Sequence, residues 1–63
     1  MRITLKAARV HRKMTQQQFA DALGVTKSSV QNWENGKTKP GIDKIEKICN
    51  VLDMSYDNIE WQG

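Results

Sequence analysis

Four polar side chains between residues 27 and 32 have the types and spacing needed to form hydrogen bonds from one face of a helix. A helical step of about 100° per residue places them on one arc, with the apolar Val30 and Trp33 on the opposite arc. They are Lys27, Ser28, Gln31 and Asn32. In a DNA major groove, Lys27 can donate to guanine O6 and N7, Asn32 can pair with adenine N6 and N7, and Ser28 can serve either base. On this pattern alone, an ordinary solvated helix face is favoured, and base reading is the alternative.

The helix before this arc has signals at both of its ends. Thr15 can cap its start and Gln18 can reach back to the cap, which is the reciprocal arrangement of a capping box. Met14 and Phe19 flank the cap as a hydrophobic staple. Gly24 follows the last apolar residue, where a left-handed backbone without a Cβ clash ends a helix. A short helix ending near Gly24 is therefore predicted.

The polar arc itself lies on a second short helix, over about residues 26–34. Thr26 offers a second cap, and Val25 and Val30 are placed as a second staple. Asn35-Gly36 then ends the helix. Two helices joined by a turn of about three or four residues form a helix-turn-helix, whose second helix can lie in the major groove.

The ordered set of residues around this unit resembles the Cro and lambda-repressor type (Xre-like) family of DNA-binding domains. The residues that carry the resemblance are Thr15-Gln16, Phe19-Ala20, Leu23-Gly24-Val25, Val30 and Trp33-Glu34-Asn35-Gly36-Lys37, continued by Arg9, Pro40, Ile45, Leu52 and Ser55. The resemblance covers nearly the whole chain. It implies a single domain over residues 1–63 with an all-α, lambda-repressor-like fold.

The resemblance also implies roles for individual residues. Those expected to contact bases are Lys27, Ser28 and Asn32, with Gln31 at a less regular contact position. Those expected to contact phosphates are Gln16, Asn35, Lys37 and Lys39. Asn35 could equally serve only to turn the chain, whereas Lys37 and Lys39 have no obvious structural duty. Arg9 and Glu34 are expected to form a structural ion pair that fixes the orientation of the second helix.

The remaining sequence predicts three further helices, giving a compact bundle of five. One begins near Thr4, and another spans Ile42 to Leu52 because apolar residues recur there at intervals of three and four. A last short helix is capped by Ser55, and no run is regular enough to predict a strand. The predicted core consists of Phe19, Leu23, Val30, Trp33, Ile45, Ile48 and Leu52. Asp53 stands where the family usually has glycine, and aspartate tolerates the left-handed turn at a small cost.

The distribution of charged residues and the motifs in the sequence give further evidence about function. Residues 1–39 carry eight Lys or Arg and two acids, whereas residues 40–63 carry two lysines and five acids. A basic half that contains the helix-turn-helix indicates a polyanionic partner, although solubility alone is the alternative. The sequence offers no metal-ligand spacing around His11 or Cys49, no glycine-rich phosphate loop and no apolar run of about 18 residues. An enzyme, a metal site and a cofactor are therefore not expected.

The sequence as a whole predicts a sequence-specific regulator of double-stranded DNA, most simply a phage or bacterial repressor on a palindromic operator. A homodimer on DNA is expected, with Tyr56, Ile59 and Trp61 as its contact, since a large apolar group near a chain end needs cover. Packing of Trp61 on its own core is the alternative. The bacterial cytoplasm is the expected location, and neither a membrane nor a small-molecule ligand is expected. The alternative function is a helix-turn-helix module for protein interaction, such as an antitoxin, with DNA binding secondary or lost.

Overall fold

The computed structural model describes residues 2–61, which form four α-helices, a 3-10 turn and a pair of very short strands. In chain order the elements are β1 (Ile3–Thr4), α1 (Leu5–His11), α2 (Gln16–Leu23), α3 (Lys27–Glu34), α4 (Ile42–Leu52), the 3-10 turn (Tyr56–Asn58) and β2 (Ile59–Glu60). Helix α2 packs against both α3 and α4, and α1 also contacts α3. The mainly helical fold is confirmed, and the predicted count of five helices is wrong by one.

Side-chain caps start the first three helices as their sequences predict. Thr4 Oγ1 accepts from the N–H of Ala7 at 3.0 Å and begins α1. At α2, Thr15 Oγ1 accepts from the N–H of Gln18 at 3.0 Å, and Gln18 Oε1 accepts from the N–H of Thr15 at 2.9 Å. This reciprocal pair confirms the capping box. A cap of this kind contributes about 1 kcal/mol, so the helix starts are locally encoded.

The turn between α2 and α3 and the stop after α3 both use glycine in the left-handed region. Gly24 has φ +73° and Gly36 has φ +77°. After Gly24, the N–H of Val25 donates back to the carbonyl of Ala20 at 3.0 Å. Thr26 Oγ1 then accepts from the N–H of Ser29 at 3.2 Å and starts α3. The predicted two-helix unit with its tight turn is confirmed.

Two residues other than glycine also adopt positive φ. Asp53 closes α4 at φ 53° and ψ 48°, so the left-handed turn expected in place of the usual glycine is present. Lys13 has φ 59° in the turn between α1 and α2, a feature that no sequence signal indicated. Its N–H donates to the carbonyl of Val10 at 2.8 Å, which stabilises the turn.

The C-terminal segment differs most from the prediction. In place of a fifth helix, a single 3-10 turn follows Ser55, and the chain then extends so that β2 pairs in parallel with β1. Ile59 lies opposite Ile3 in this pair and is only 1% exposed. The extended geometry of β2 places the Ile59 side chain in the core beside Ile3. Strands of two residues carry no alternation that a sequence could reveal.

Helix α4 has the predicted bounds, but its apolar arc is wider than the stripe that the fold buries. Ile48 and Leu52 lie in the core, as predicted. Ile45 was also predicted to be core but is only half-buried, and Ile42 is 87% exposed. Cys49 is half-buried, where desolvation raises the pKa of its thiol. The periodicity predicted the helix correctly and overstated how much of its apolar surface is covered.

Candidate nucleic-acid interface

Helix α3 has one buried side and one open side. Val30 and Trp33 are buried in the core, whereas Lys27 and Ser28 are exposed at the start of the helix. Gln31 and Asn32 are half-buried on the same arc as those exposed residues. The open side therefore presents a cation, a hydroxyl and two amides, which together can donate to and accept from base edges.

An ion pair between Arg9 of α1 and Glu34, the last residue of α3, holds the orientation of α3. Arg9 Nε lies 2.7 Å from Glu34 Oε2, and the two side chains are only 8% and 3% exposed. A second hydrogen bond joins Arg9 Nη2 to Glu34 Oε1 at 3.3 Å, and Arg9 Nη1 donates to the carbonyl of Met14 at 2.7 Å. One guanidinium thus ties α1, the turn before α2 and the end of α3. Such a pair is weak support for net stability, but its rigid fork fixes geometry.

Gln16, expected at a phosphate, lies at the first position of α2 and makes two contacts within the protein. Its Nε2 donates to Glu34 Oε1 at 3.0 Å, and its Oε1 accepts from Gln31 Nε2 at 3.4 Å. Sequence reasoning missed both contacts because they join residues that are distant along the chain. The available signal was Glu34, an acid inside the basic half whose two oxygens can accept more bonds than one arginine supplies.

The other three expected phosphate residues lie in the loop after α3, where all are exposed. They are Asn35, Lys37 and Lys39. Asn35 ends α3 at φ −87°, and the left-handed position falls on Gly36. The backbone turn therefore does not require asparagine at residue 35. The N–H of Lys37 donates to the carbonyl of Asn32 at 2.9 Å, so the loop is anchored on the last turn of α3.

The expected dimer residues fall into two groups. Tyr56 and Trp61 stack with ring centroids 5.4 Å apart, and Trp61 Nε1 donates to the carbonyl of Tyr56 at 3.1 Å. Tyr56 remains 54% exposed, whereas Trp61 is half-buried and packs against the core. Ile59 is buried within its own chain, so its side chain is not available to a second copy. Of the three expected residues, Tyr56 is the one whose side chain is exposed, and the dimer contact stays a prediction.

Among residues 2–61, no group of three His, Cys, Asp or Glu side chains is arranged to hold a metal ion. No helix in the same range is both long and apolar enough to cross a membrane.

Comparison with known proteins also identifies a helix-turn-helix domain. Residues 5–59 match the family described as helix-turn-helix (HTH_3). The chain is 40% identical over 53 residues to the uncharacterized HTH-type transcriptional regulator YqaE of Bacillus subtilis, a match that covers 84% of this chain and 46% of YqaE. It is 33% identical over 45 residues to the cryptic phage CTXphi transcriptional repressor RstR of Vibrio cholerae, covering 71% of this chain and 40% of RstR.

Enzymes also occur among the relatives. The type II methyltransferase M.SsoII of Shigella sonnei is 48% identical over 61 residues, which cover 90% of this chain but 16% of the enzyme. The chain thus spans less than half the length of each of these relatives. No solved structure matches the chain. With the family model matching nearly its whole length, the chain belongs to the Cro/C1-type (Xre-like) helix-turn-helix family.

Proposed function

We propose that the chain is a sequence-specific transcriptional regulator of double-stranded DNA, a phage or bacterial repressor that occupies a palindromic operator. The observation that carries this proposal is α3, whose apolar side is buried and whose open side presents only polar groups. A helix built in this way can enter a major groove with its back supported by the domain. The names of the relatives YqaE and RstR, a regulator and a repressor, support the same function.

In this proposal the open side of α3 reads bases. Lys27 and Ser28, exposed at the start of the helix, enter the groove first, and Asn32 follows one turn later. Lys27 donates to guanine O6 and N7, Asn32 pairs with adenine N6 and N7, and Ser28 takes either base. Gln31 contributes from the same arc.

Phosphate contacts set the register of that helix. Asn35, Lys37 and Lys39 are exposed in the loop that follows α3, and Gln16 lies at the start of α2, where helix N–H groups favour an anion. Because the carbonyl of Asn32 accepts from the N–H of Lys37, the backbone of the phosphate-binding loop is attached to the helix that carries the base-reading residues. This coupling favours one register of α3 relative to the DNA backbone.

A second copy completes the operator complex. Tyr56 and Trp61 adjoin an apolar groove formed by Ile42, Ile45, Cys49 and Met54, and we assign a second copy to this face. The molecule measures 28 × 23 × 20 Å, so two adjacent copies fit half-sites about 34–36 Å apart. A stable interface buries about 800 Å² per partner, roughly a fifth of the 4178 Å² surface of this chain. In this proposal the two copies pair on DNA, where the adjacent half-sites hold them side by side.

No catalytic step is proposed for this chain. The methyltransferase relative M.SsoII matches over 16% of its length, and the residues that match here include the helix-turn-helix. The proposed activity needs no cofactor and no small-molecule ligand, and a repressor acts where the operator lies, in the bacterial cytoplasm.

Selection from random duplexes at physiological salt tests the function directly. We expect enrichment of one palindromic site whose half-sites are about one helical turn apart. The matched control is a variant with Lys27→Ala and Asn32→Ala, which removes base-reading groups and leaves the loop lysines in place. The control protein should bind DNA without enriching that site.

The opposite result would favour the second function. If the unmodified chain enriches no sequence while it remains folded, the proposed sequence-specific DNA binding is wrong. A protein-interaction or antitoxin module then becomes the better description. The polar, partly cationic arc of α3 argues against that outcome, because a helix that docks on a protein usually presents an apolar arc.

A further inference from the structure

An asparagine and a glycine are adjacent in the turn that ends α3. The asparagines of the chain are Asn32, Asn35, Asn50 and Asn58. Glycine follows Asn35, whereas tryptophan, valine or isoleucine follows each of the others. A backbone nitrogen can attack the side-chain amide carbon of the asparagine before it, and a glycine nitrogen is the least hindered because glycine has no Cβ. Asn35 is therefore the asparagine most open to this reaction.

The structure leaves the side chain of Asn35 in contact with water and the nitrogen of Gly36 weakly held. Asn35 is the C-cap of α3 and is exposed. The N–H of Gly36 donates to the carbonyl of Trp33 at 3.3 Å, whereas the N–H groups of Asn35 and Lys37, on either side, donate at 2.9 Å. A distance beyond about 3.2 Å indicates a weak bond. The attacking nitrogen is thus held by the weakest of three consecutive bonds.

The backbone at Asn35 keeps the two reacting groups apart while the turn is closed. At ψ −2° the nitrogen of Gly36 eclipses the nitrogen of Asn35, whereas ring closure requires it to turn toward Cβ. That rotation carries the peptide of Gly36 away from Trp33 and breaks their hydrogen bond. The reaction therefore requires a local opening of the turn, which costs less free energy than global unfolding.

We propose that Asn35 is a site of spontaneous deamidation, controlled by opening of the turn after α3. The nitrogen of Gly36 gives its proton to a solvent base and bonds to Cγ of Asn35. The Cγ–Nδ2 bond breaks, and the leaving nitrogen takes a proton from water and departs as ammonia. Water then opens the resulting succinimide ring. Breaking the new bond to Cγ gives aspartate, and breaking the bond to the backbone carbonyl carbon gives isoaspartate, whose chain runs through the former side chain.

Either product places a carboxylate among the groups proposed to bind phosphate. This consequence, unlike the chemistry itself, rests on the DNA-binding function proposed above. A negative charge at residue 35 repels phosphates beside Lys37 and Lys39. It also lies at the C-terminal end of α3, where the helix dipole disfavours an anion. The modified chain should therefore bind every DNA sequence more weakly.

Deamidation is measured on the folded chain without DNA. The protein is incubated at physiological and at mildly alkaline pH, digested with trypsin beside an unincubated sample, and analysed by mass spectrometry. Peptide 28–37 contains both Asn32 and Asn35, so fragment ions compare them directly. We expect conversion to be fastest at Asn35, faster at the higher pH, and faster still when the chain is unfolded in guanidinium. Conversion at Asn35 no faster than at Asn32 would overturn the site, and equal rates in folded and unfolded chains would overturn the control by the turn.

The effect on DNA binding is tested with a variant that carries the product's charge. Asn35→Asp should weaken binding to operator and to unrelated DNA by about threefold, the size of one exposed charge interaction. Asn58→Asp adds the same charge in the 3-10 turn and should weaken binding less. Equal losses in the two variants would overturn the role of residue 35. Asn35→Ser removes the reacting amide, so its affinity should stay constant during an incubation in which that of the unmodified chain falls.

Incubation with DNA separates the modification from the proposed function. Saturating operator should slow conversion at Asn35 by about tenfold or more, because a ligand that binds the closed turn suppresses its opening. Unchanged conversion in a chain that binds the operator would overturn the contact between this turn and DNA. If the chain binds no DNA and Asn35 still converts first, the proposed function is overturned and the modification site stands.

Discussion

At the scale of single residues, Asn32 gives the cleanest test of base reading because it carries no charge. Asn32→Ala should cost about 1–3 kcal/mol on the preferred operator and relax the preference at one base pair per half-site. Affinity for unrelated DNA should change much less. Titrating the protein with the operator, with its single-base variants and with unrelated DNA at one salt concentration measures the ratio of specific to nonspecific affinity.

Asn58→Ala is the matched control, since Asn58 is exposed in the 3-10 turn and does not line the groove assigned to a second copy. It should leave both affinities unchanged. If Asn32→Ala preserves the ratio of specific to nonspecific binding in a folded protein, the reading face has been assigned incorrectly.

Lys37 tests the phosphate contacts. Lys37→Ala should weaken binding to all sequences by a similar factor and lower the log–log salt slope by about 1, because one fewer counterion is released. Lys47→Ala removes the same charge from an exposed position on α4. Equal slopes for the two variants would mean that overall charge, and not a contact at Lys37, sets the salt dependence.

At the scale of the elements, Asp53 tests the strain at the end of α4. Asp53→Gly should stabilise the domain by up to about 1 kcal/mol, because glycine adopts the left-handed region without a Cβ clash. The ion pair that it removes, with Arg12 at 3.5 Å, is on the surface and is worth little. Denaturant unfolding measures the difference, and Asp57→Gly, in the 3-10 turn without positive φ, should not stabilise. A loss of stability in Asp53→Gly would contradict the strain argument.

The Arg9–Glu34 pair tests how α1 holds the recognition helix. Arg9→Met leaves a buried carboxylate without its partner and should cost about 3–5 kcal/mol. Changing both residues to methionine removes the unpaired charge, so the double variant should be more stable than Arg9→Met alone. The unfolding free energies of the unmodified chain, the two single variants and the double variant form a double-mutant cycle. A double variant less stable than Arg9→Met would mean that Glu34 is stabilised by other groups, of which Gln16 is the candidate.

Local signals predicted the elements well, and contacts between distant residues explain what they missed. Thr15, Gly24 and Thr26 act on their own neighbours, so short sequence patterns were enough to locate α2 and α3. The pairing of Ile59 with Ile3 joins opposite ends of the chain, and two-residue strands have no detectable period. A signal that depends on the final packing is absent from any short window of sequence.

In the candidate site, too, local sequence patterns predict some features, and contacts between distant residues determine the others. Helical spacing alone predicts the open arc of α3, because residues 27–34 do form an α-helix in the structure. The bonds of Gln16 to Glu34 and Gln31 depend on how α2 crosses α3, which spacing does not specify. The period places Ile42 on the apolar stripe of α4, yet no element within residues 2–61 covers it. Period identifies which residues share a face, and tertiary packing decides which faces are buried.

At the scale of the whole molecule, the large hydrophobic side chains left exposed among residues 2–61 lie in both halves of the chain, Val10 in the basic half and Ile42 and Tyr56 in the acidic half. Ile42 and Tyr56 are among the large hydrophobic side chains left exposed, and both line the groove assigned to a second copy. The acidic half of the chain carries this groove, and the basic half carries the loop lysines. One face can therefore contact a second protein while another contacts phosphates.

Ile42→Lys tests the second copy without endangering the fold, because this side chain is already almost fully exposed. Burying a lysine charge at an apolar contact between copies is costly, so cooperative binding to the full operator should be lost. Binding to an isolated half-site should persist, and Val10→Lys, an exposed apolar position on α1, serves as the control. Sedimentation of the protein with full-operator and half-site duplexes distinguishes one bound copy from two. If the unmodified chain saturates the full operator as a single copy, or if Ile42→Lys still binds cooperatively as a pair, the groove is not the contact between copies.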